Sequence, residues 1–431
     1  MRVAIIGSGI AGMTAAYRLN RDNDVTVFEA GDHFGGHTYT LDVDLAGRTY
    51  AVDMGFIVFN ERTYPNFIRL INELGVESQT SNMSFSLRCE RTGLEYNGTS
   101  LNSLFAQRLN LVRPSFLGMI YDILRFNRES PRLLLAQDHT LTLGEYLARH
   151  GYSDSFTQRY LVPMGRAIWS ATEEAMLAWP ARFFVDFFER HGFLSVNDRP
   201  QWRAIKGGSR EYARKLTEGY RHRIRLRTPV QSVKRSGDSV TIRTTKGDVE
   251  RFDYVFFACH SDQALAILDT PTPEETEILS AFPYQANDVV LHTDTRMLPT
   301  TPLARAAWNY HALPDDKGPV RLTYDMNILQ TLVSPEIFMV TLNRTADIDP
   351  AKVLHTTTMH HPVYTPNAVA AQKRRTEISG RNRTFYCGAY WRYGFHEDGV
   401  VSAEWAVKDF TIVAARETTA RHQRAALAVV G

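Results

Sequence analysis

Val3-Ala4-Ile5-Ile6-Gly7-Ser8-Gly9-Ile10-Ala11-Gly12, continued by Met13-Thr14-Ala15-Ala16-Tyr17-Arg18-Leu19, runs from an apolar segment through a glycine-rich turn into a helical pattern. The apolar run before Gly7 suits a buried strand, and the spacing after the turn predicts a helix through Met13 to Leu19. A second apolar strand, Val25–Phe28, follows at once, so the first 30 residues read as a strand–helix–strand unit. Gly7 allows the tight turn, Gly9 lets the backbone approach a phosphate, and Gly12 lets the helix lie close to the sheet. The helix start at Ile10 and Ala11 offers N–H donors and a partial positive charge to an anion. Glu29, at the end of the second strand and 17 positions beyond Gly12, is placed to accept hydrogen bonds from a ribose diol. Together these predict a dinucleotide ligand.

The 431 residues are 44% hydrophobic and 22% charged, enough for a sizeable core and too many for one ordinary domain. With 49 Lys+Arg against 47 Asp+Glu there is no global field to draw in nucleic acid, and no such partner is expected. Cys89, Cys259 and Cys387 are far apart and form no CxxC pair, which points to a reducing cytoplasm. A structural strand occupies the place of a cleavable signal, so no presequence is expected. No run of about 18 apolar residues occurs, so nothing is expected to span a bilayer.

From Leu104 to His191 helical periodicities dominate, predicting an inserted helical region. Beyond it, Ile205-Lys206-Gly207-Gly208 opens a helix, and Arg223 to Arg235 reads as one strand. Ser239–Thr244 is expected to pair with Glu250–Cys259 around a Lys246-Gly247 turn. Residues from Val289 to Leu342 read as strands of a second sheet, and Thr384–Gly388 as a last short strand. A helix begins near Gly399, and the Ala-rich end from Ala414 reads as frayed. The expected fold class is α/β, in an α+β two-domain arrangement. A Rossmann-type nucleotide domain is assembled from residues 1–80, 205–280 and 370–431. A substrate domain of helices and a second sheet comprises 81–204 and 281–369.

Glu29-Ala30-Gly31-Asp32-His33-Phe34-Gly35-Gly36-His37-Thr38 and Val52-Asp53-Met54-Gly55-Phe56 add a second glycine pair and an Asp-x-Gly stretch. With these the sequence resembles the FAD-dependent amine-oxidase and phytoene-desaturase superfamily. The resemblance implies noncovalent FAD, contacted by Gly35, Gly36, His37, Met54, Gly55, Phe56 and Val230 as well as by the first glycine turn. His37 stands where most relatives carry arginine, which exchanges a permanent charge for a ring with fewer donors. The stretch Phe385-Tyr386-Cys387-Gly388-Ala389-Tyr390-Trp391-Arg392-Tyr393-Gly394-Phe395-His396-Glu397-Asp398-Gly399-Val400-Val401 extends the likeness. It implies cofactor contacts at Gly388 and at the helix start Gly399-Val400-Val401, where a helix dipole stabilises negative charge on a reduced flavin. Relatives often carry Gly-Glu after the strand; here Ala389 follows Gly388.

That C-terminal wording, with Tyr324-Asp325-Met326-Asn327-Ile328-Leu329-Gln330 and Thr341-Leu342-Asn343, is similar to one bacterial subfamily. These are FAD-binding proteins associated with cyclopropane fatty-acid synthase-like methyltransferases, and the similarity runs to about Phe410. It implies a desaturase of methyl-branched, phospholipid-linked acyl chains, as in furan fatty-acid biosynthesis, with hydride passed to flavin N5 and dioxygen as final acceptor. Two alternatives stand beside it: an amine oxidase on the same scaffold, and a flavin-bearing partner subunit of a lipid methyltransferase without turnover.

Tyr390, Trp391, Tyr393 and Phe395 are candidates either for a wall beside the flavin or for core. Tyr390 and His396 are the catalytic candidates, His396 as base, and Glu397 is either a second proton acceptor or a complement to the helix dipole. His360-His361 lacks a partner at metal-ligand spacing and reads as a solvated loop before Pro362, so no metal is expected. Cys387 reads as a small buried hydrophobe, and Gly207-Gly208-Ser209 lacks the elbow of a hydrolase. The segment Leu104–Gln137 carries Arg108, Arg113, Arg125, Arg128 and Arg132 against Asp122 and Glu129, a net charge of +3. Within it Phe116, Met119, Ile120, Ile123 and Leu124 form an apolar stripe, which suits either a core helix or one lying in an anionic membrane interface. The expected location is cytoplasmic, with peripheral contact at the inner face of the membrane and a lipid or other apolar small molecule as substrate.

Overall fold

The computed structural model describes residues 1–135, 140–169, 171–314 and 318–430, with side chains as far as 419. Strand β1 (Arg2–Ile6) is buried from Val3 to Ile6, as an apolar strand covered on both faces must be. Helix α1 (Ile10–Leu19) and strand β2 (Asp24–Phe28) complete the predicted unit. Three further strands join it: β3 (Ile224–Arg225), β4 (Tyr254–Phe257) and β5 (Thr384–Tyr386). The sheet order is β3-β2-β1-β4-β5, with every pairing parallel. Distant parts of the chain thus contribute to one nucleotide-binding sheet.

Two expected strands divide. Arg223–Arg235 breaks at Arg227 (φ 50), so that Ile224–Arg225 lies beside β2 while Val230–Arg235 starts a separate antiparallel sheet with Val240–Thr244 and Val249–Phe252. The expected hairpin arm Glu250–Cys259 breaks at Asp253, whose N–H donates to the Arg2 carbonyl at 2.8 Å and hands the next four residues to β1. Apolar pattern alone does not mark where one strand changes partners.

The second sheet has seven strands, in the order Val353–Pro362, Tyr284–His292, Met339–Leu342, Leu322–Asp325, Trp308–Ala312, Phe85–Cys89, Leu94–Asn97. His360 and His361 therefore lie in an edge strand, not in a loop: His360 pairs with Ala286 and His361 with Gln285. The β-branched run Thr356-Thr357-Thr358 accounts for the extended backbone.

Helix α2 (Pro114–Glu129) begins with proline in its first turn, where the missing N–H costs nothing. Phe116, Met119 and Phe126 are buried, Ile120 and Ile123 half-buried, and Leu124 exposed. Of the two readings open for the apolar stripe, core helix or membrane interface, its residues mostly follow the first; Gln137, at the end of that segment, lies outside the described residues. Helix α3 (His396–Val430) starts three residues before Gly399 and runs unbroken through Ala414, so the frayed end expected there is helical. Among the described residues no helix is long and apolar enough to cross a membrane.

Candidate functional site

The first glycine turn makes an open cradle. Gly7 takes φ +101, and a Cβ at Gly12 would lie 2.0 Å from the Gly7 carbonyl oxygen, so neither position accepts a side chain. Around Gly9, by contrast, a Cβ would meet nothing within 4 Å. The N-cap of α1 is Gly9, without a side-chain cap and with no acidic residue in the first turn, so its N–H groups remain available to an anion. Glu29 is locked in place: one carboxylate oxygen accepts from the Ser8 N–H (2.9 Å) and hydroxyl (2.5 Å), the other from the Gly31 N–H (2.8 Å). The oxygen that faces Gly31 keeps a lone pair for a sugar hydroxyl. The second glycine pair meets this turn directly, since Gly9 and Gly35 form a bridge and the Gly35 N–H donates to Ser8 O at 2.9 Å. Val230 stands two residues beyond Thr228, whose N–H donates to Glu29 O at 2.8 Å.

A second floor extends from there. Met54 is buried, and a Cβ at Gly55 would lie 2.1 Å from the His37 carbonyl oxygen, which also accepts from the Phe56 N–H at 2.8 Å. What holds this floor is Asp53, a residue not singled out beyond its motif. Fully buried, it accepts from the Thr40 hydroxyl (2.5 Å), the Ser209 N–H and hydroxyl (both 2.9 Å) and the Gln330 amide (3.1 Å). Burial pushes its carboxyl up to about 6 against these donors. The Gly207-Gly208-Ser209 turn is thus a clamp on Asp53.

At the far end α3 comes alongside α1: a Cβ at Gly399 would lie 2.5 Å from Ile10 Cγ2. Val400 is fully buried and Val401 nearly so, and the Gly388 N–H donates to the Ser402 hydroxyl at 2.9 Å, joining β5 to this helix start. Glu397 serves as a cap for a neighbouring helix. It accepts from the N–H groups of Asn66 (3.0 Å) and Phe67 (2.8 Å), at the start of the helix Pro65–Glu73. Cys387 is buried, its thiol pushed up to about 12, and behaves as a small hydrophobe.

His37 does not replace the charge of an arginine. Its ring sits 5.3 Å from that of His361, 6.0 Å from Phe56 and 6.4 Å from His260, and enclosure among neighbouring imidazoles lowers it to about 4. Its Nε2 is buried without a partner. His361 has its tautomer fixed from a distance. The Asp288 N–H donates to Asn343 Oδ1 (3.0 Å), which turns the Asn343 amide nitrogen onto Asn287 Oδ1 (2.8 Å), and the Asn287 amide nitrogen onto His361 Nδ1 (2.9 Å). The ring proton is therefore on Nε2.

Beside this floor lies a cavity of about 130 Å³. Gly55 and Phe56 border it, with walls from Trp169, Phe187, Trp202, Trp308, Tyr324 and Tyr364, among others. His191, His361 and His396 are its histidines. His396 is buried, its ring tilted against that of Phe56 at 4.2 Å, with Nδ1 unpartnered; burial lowers it to about 3, so it is neutral and a weak base. Tyr393 and Phe395 face the cavity. Tyr390, the other catalytic candidate, does not line it: the turn at Gly388 folds its ring into the core against Phe282 (5.0 Å), with Trp391 beside it. Among the described residues no cluster of His, Cys, Asp or Glu is arranged to hold a metal.

FAD fits what these residues leave open. The space at Gly9, the uncapped start of α1, the oriented Glu29 and the unpartnered His37 Nε2 lie on one route from the parallel sheet to the cavity. Residues 10–409 match the family model described as flavin containing amine oxidoreductase. A Mycobacterium tuberculosis protein that carries the name of a flavin-containing monoamine oxidase is 25% identical over 343 residues, 75% of this chain and 70% of that one. Cyclohexylamine oxidase from Brevibacterium oxydans shares the fold at a TM-score of 0.69 and 17% identity, covering 96% of this chain and 99% of that one. So does the CLA-producing fatty acid isomerase from P. acnes, at 0.66 and 17%, covering 94% and 98%. The chain belongs to the flavin containing amine oxidoreductase family and is an FAD-dependent oxidoreductase.

Proposed function

We propose that the protein desaturates a C–C bond in an apolar acyl chain, with a methyl-branched, phospholipid-linked chain as substrate. One observation carries this reading: among the described residues the cavity wall contains no aspartate, glutamate, lysine or arginine. A neutral hydrocarbon gains by burial there, whereas an ammonium ion would lose hydration without a counter-charge. The indole N–H groups of Trp169 and Trp308 and the Tyr364 hydroxyl are buried without partners, so the wall also offers donors to a carbonyl oxygen such as that of an ester. The isomerase that shares this fold acts, by its name, on a fatty acid.

FAD, when bound, would supply the two-electron acceptor for the hydride, with dioxygen as terminal oxidant. The apolar wall packs against the chain and holds it beside the flavin site. The second hydrogen leaves as a proton. His396, with Nδ1 free and its basicity lowered, suits a hydrogen bond in the wall better than lasting custody of that proton, which passes to water.

Amine oxidation is the second reading, favoured by the aromatic faces around the cavity, which attract an ammonium through cation–π contact. Anaerobic mixing of the oxidised holoprotein with a methyl-branched phospholipid, an unbranched phospholipid and cyclohexylamine separates the two. Loss of the yellow flavin colour with the branched lipid is the expected result. Bleaching by the amine alone overturns the desaturase reading in favour of the second, and bleaching by none points to a flavin-bearing subunit without turnover.

A further inference from the structure

We propose that the outer face of α2, with the turn that precedes it, is a docking surface for an anionic phospholipid bilayer. Helix α2 is apolar on two sides. Inward it sends Phe116, Met119 and Phe126. Outward it carries Leu117, Tyr121, Leu124 and Arg128, spaced so that they form one row along the helix, and all four are exposed. The 3-10 turn Arg108–Val112 leads into the helix and adds Leu109, Leu111 and Val112, of which Leu109 is 77% and Val112 76% exposed. Of the 17 large apolar side chains exposed among the described residues, eight fall between Leu101 and Leu135. That concentration separates this surface from the scattered leucines on any protein exterior.

The charges select the occupant. Arg108, Arg113, Arg128 and Arg132 belong to this stretch, while its two acids are withdrawn: Asp122 is buried, 3.1 Å from Arg125, and Glu129 is half-buried, 3.1 Å from Arg128. No carboxylate is exposed between residues 101 and 135. Leucines interleaved with arginines complement an anionic interface, where apolar groups sink below the headgroups and guanidinium groups meet phosphate. A second copy of the chain would instead set arginine against arginine. Arg125 takes no part, because its guanidinium lies 4.0 Å over the Tyr152 ring and pairs with Asp122.

The same helix backs the cavity. Ile120 and Ile123 pack into the cluster that includes Met83, Trp308 and Tyr324 of the cavity wall. A bilayer held on the outer row would lie about one helix diameter, roughly 10 Å, from that wall. Adhesion of this kind does not depend on what the cavity oxidises.

Sedimentation of the holoprotein with vesicles tests it. Phosphatidylcholine vesicles containing phosphatidylglycerol are expected to carry the protein down, pure phosphatidylcholine hardly at all, and added salt should weaken the binding. The double variant L117Q/L124Q should bind roughly tenfold more weakly or worse. R128E/R132E should lose about fivefold per arginine at low salt. Both should keep their FAD and melting temperature, since all four side chains are exposed. Absence of sedimentation, equal binding in both variants, or a concentration-dependent dimer that L117Q/L124Q abolishes would overturn the proposal.

Discussion

The cradle around Gly9 and the cavity beside Phe56 are neighbours made in opposite ways. The cradle is mostly backbone: N–H groups at the start of α1, two glycine turns in contact, and one carboxylate tied to the loop it serves. The cavity is almost all side chain, with rings delivered by the helical region, the second sheet and the start of α3. Backbone sites have no spare rotamers, so a change there is felt as presence or absence of ligand. A wall of many rings spreads each loss over its neighbours, so substitutions there act by degrees.

Gly9→Leu is the sharpest way to test that contrast. The space is open in the protein alone, so the variant should fold with an almost unchanged melting temperature and yet bind no FAD. A folded variant with full flavin colour would break the comparison at its first term. Asp53→Ala strikes the link between the two regions. Removing the shared acceptor of Thr40, Ser209 and Gln330 leaves buried donors unpaired, and urea unfolding should show a loss of about 3 kcal/mol. A loss below about 1 kcal/mol would mean that the floor is held by other contacts.

On the cavity side the pH dependence has a definite sign. Burial holds His191 at about 4 and His396 at about 3, so both stay neutral in the folded chain, whereas unfolded histidine protonates near 6.5. Acid therefore favours the unfolded state: each should cost about 2 kcal/mol at pH 5 and nothing above pH 7.5. Chemical denaturation of the wild type and of His396→Phe at the two pH values checks this, the variant losing less between them. The smallest effect is expected at Asn287→Ala. Freed from its amide, His361 would sample both tautomers, and flavin reduction should slow by a factor of about 3 to 10 with FAD retained. An unchanged rate would mean that the His361 tautomer does not bear on flavin reduction.

Legibility in sequence divides along the same line. Gly7, Gly9, Gly12 and Glu29 act through consecutive backbone geometry, so their spacing announces them. Asp53 appears only as part of a motif, because its partners Ser209 and Gln330 are brought in by tertiary packing. His361 was hidden by a missed strand. In Val353–Pro362 the alternate residues Val353, His355, Thr357, Met359 and His361 point one way, a period of two that the adjacent histidines and Pro362 obscured. Tyr390 and Tyr393 sit three positions apart in one aromatic run, and only the turn at Gly388 decides which enters the core and which faces the cavity.

The Asp53 clamp also sets a timetable. Its partners Ser209 and Gln330 lie 156 and 277 residues further along the chain, and α3 meets Ile10 only from Gly399 onward. During synthesis the N-terminal strands and α1 emerge first, but the surfaces that close over them do not yet exist. Contacts of such long separation form late and slowly. The cofactor is thus captured by an almost finished polypeptide rather than by a nascent domain, and in refolding the flavin signal should trail the return of helix measured by circular dichroism.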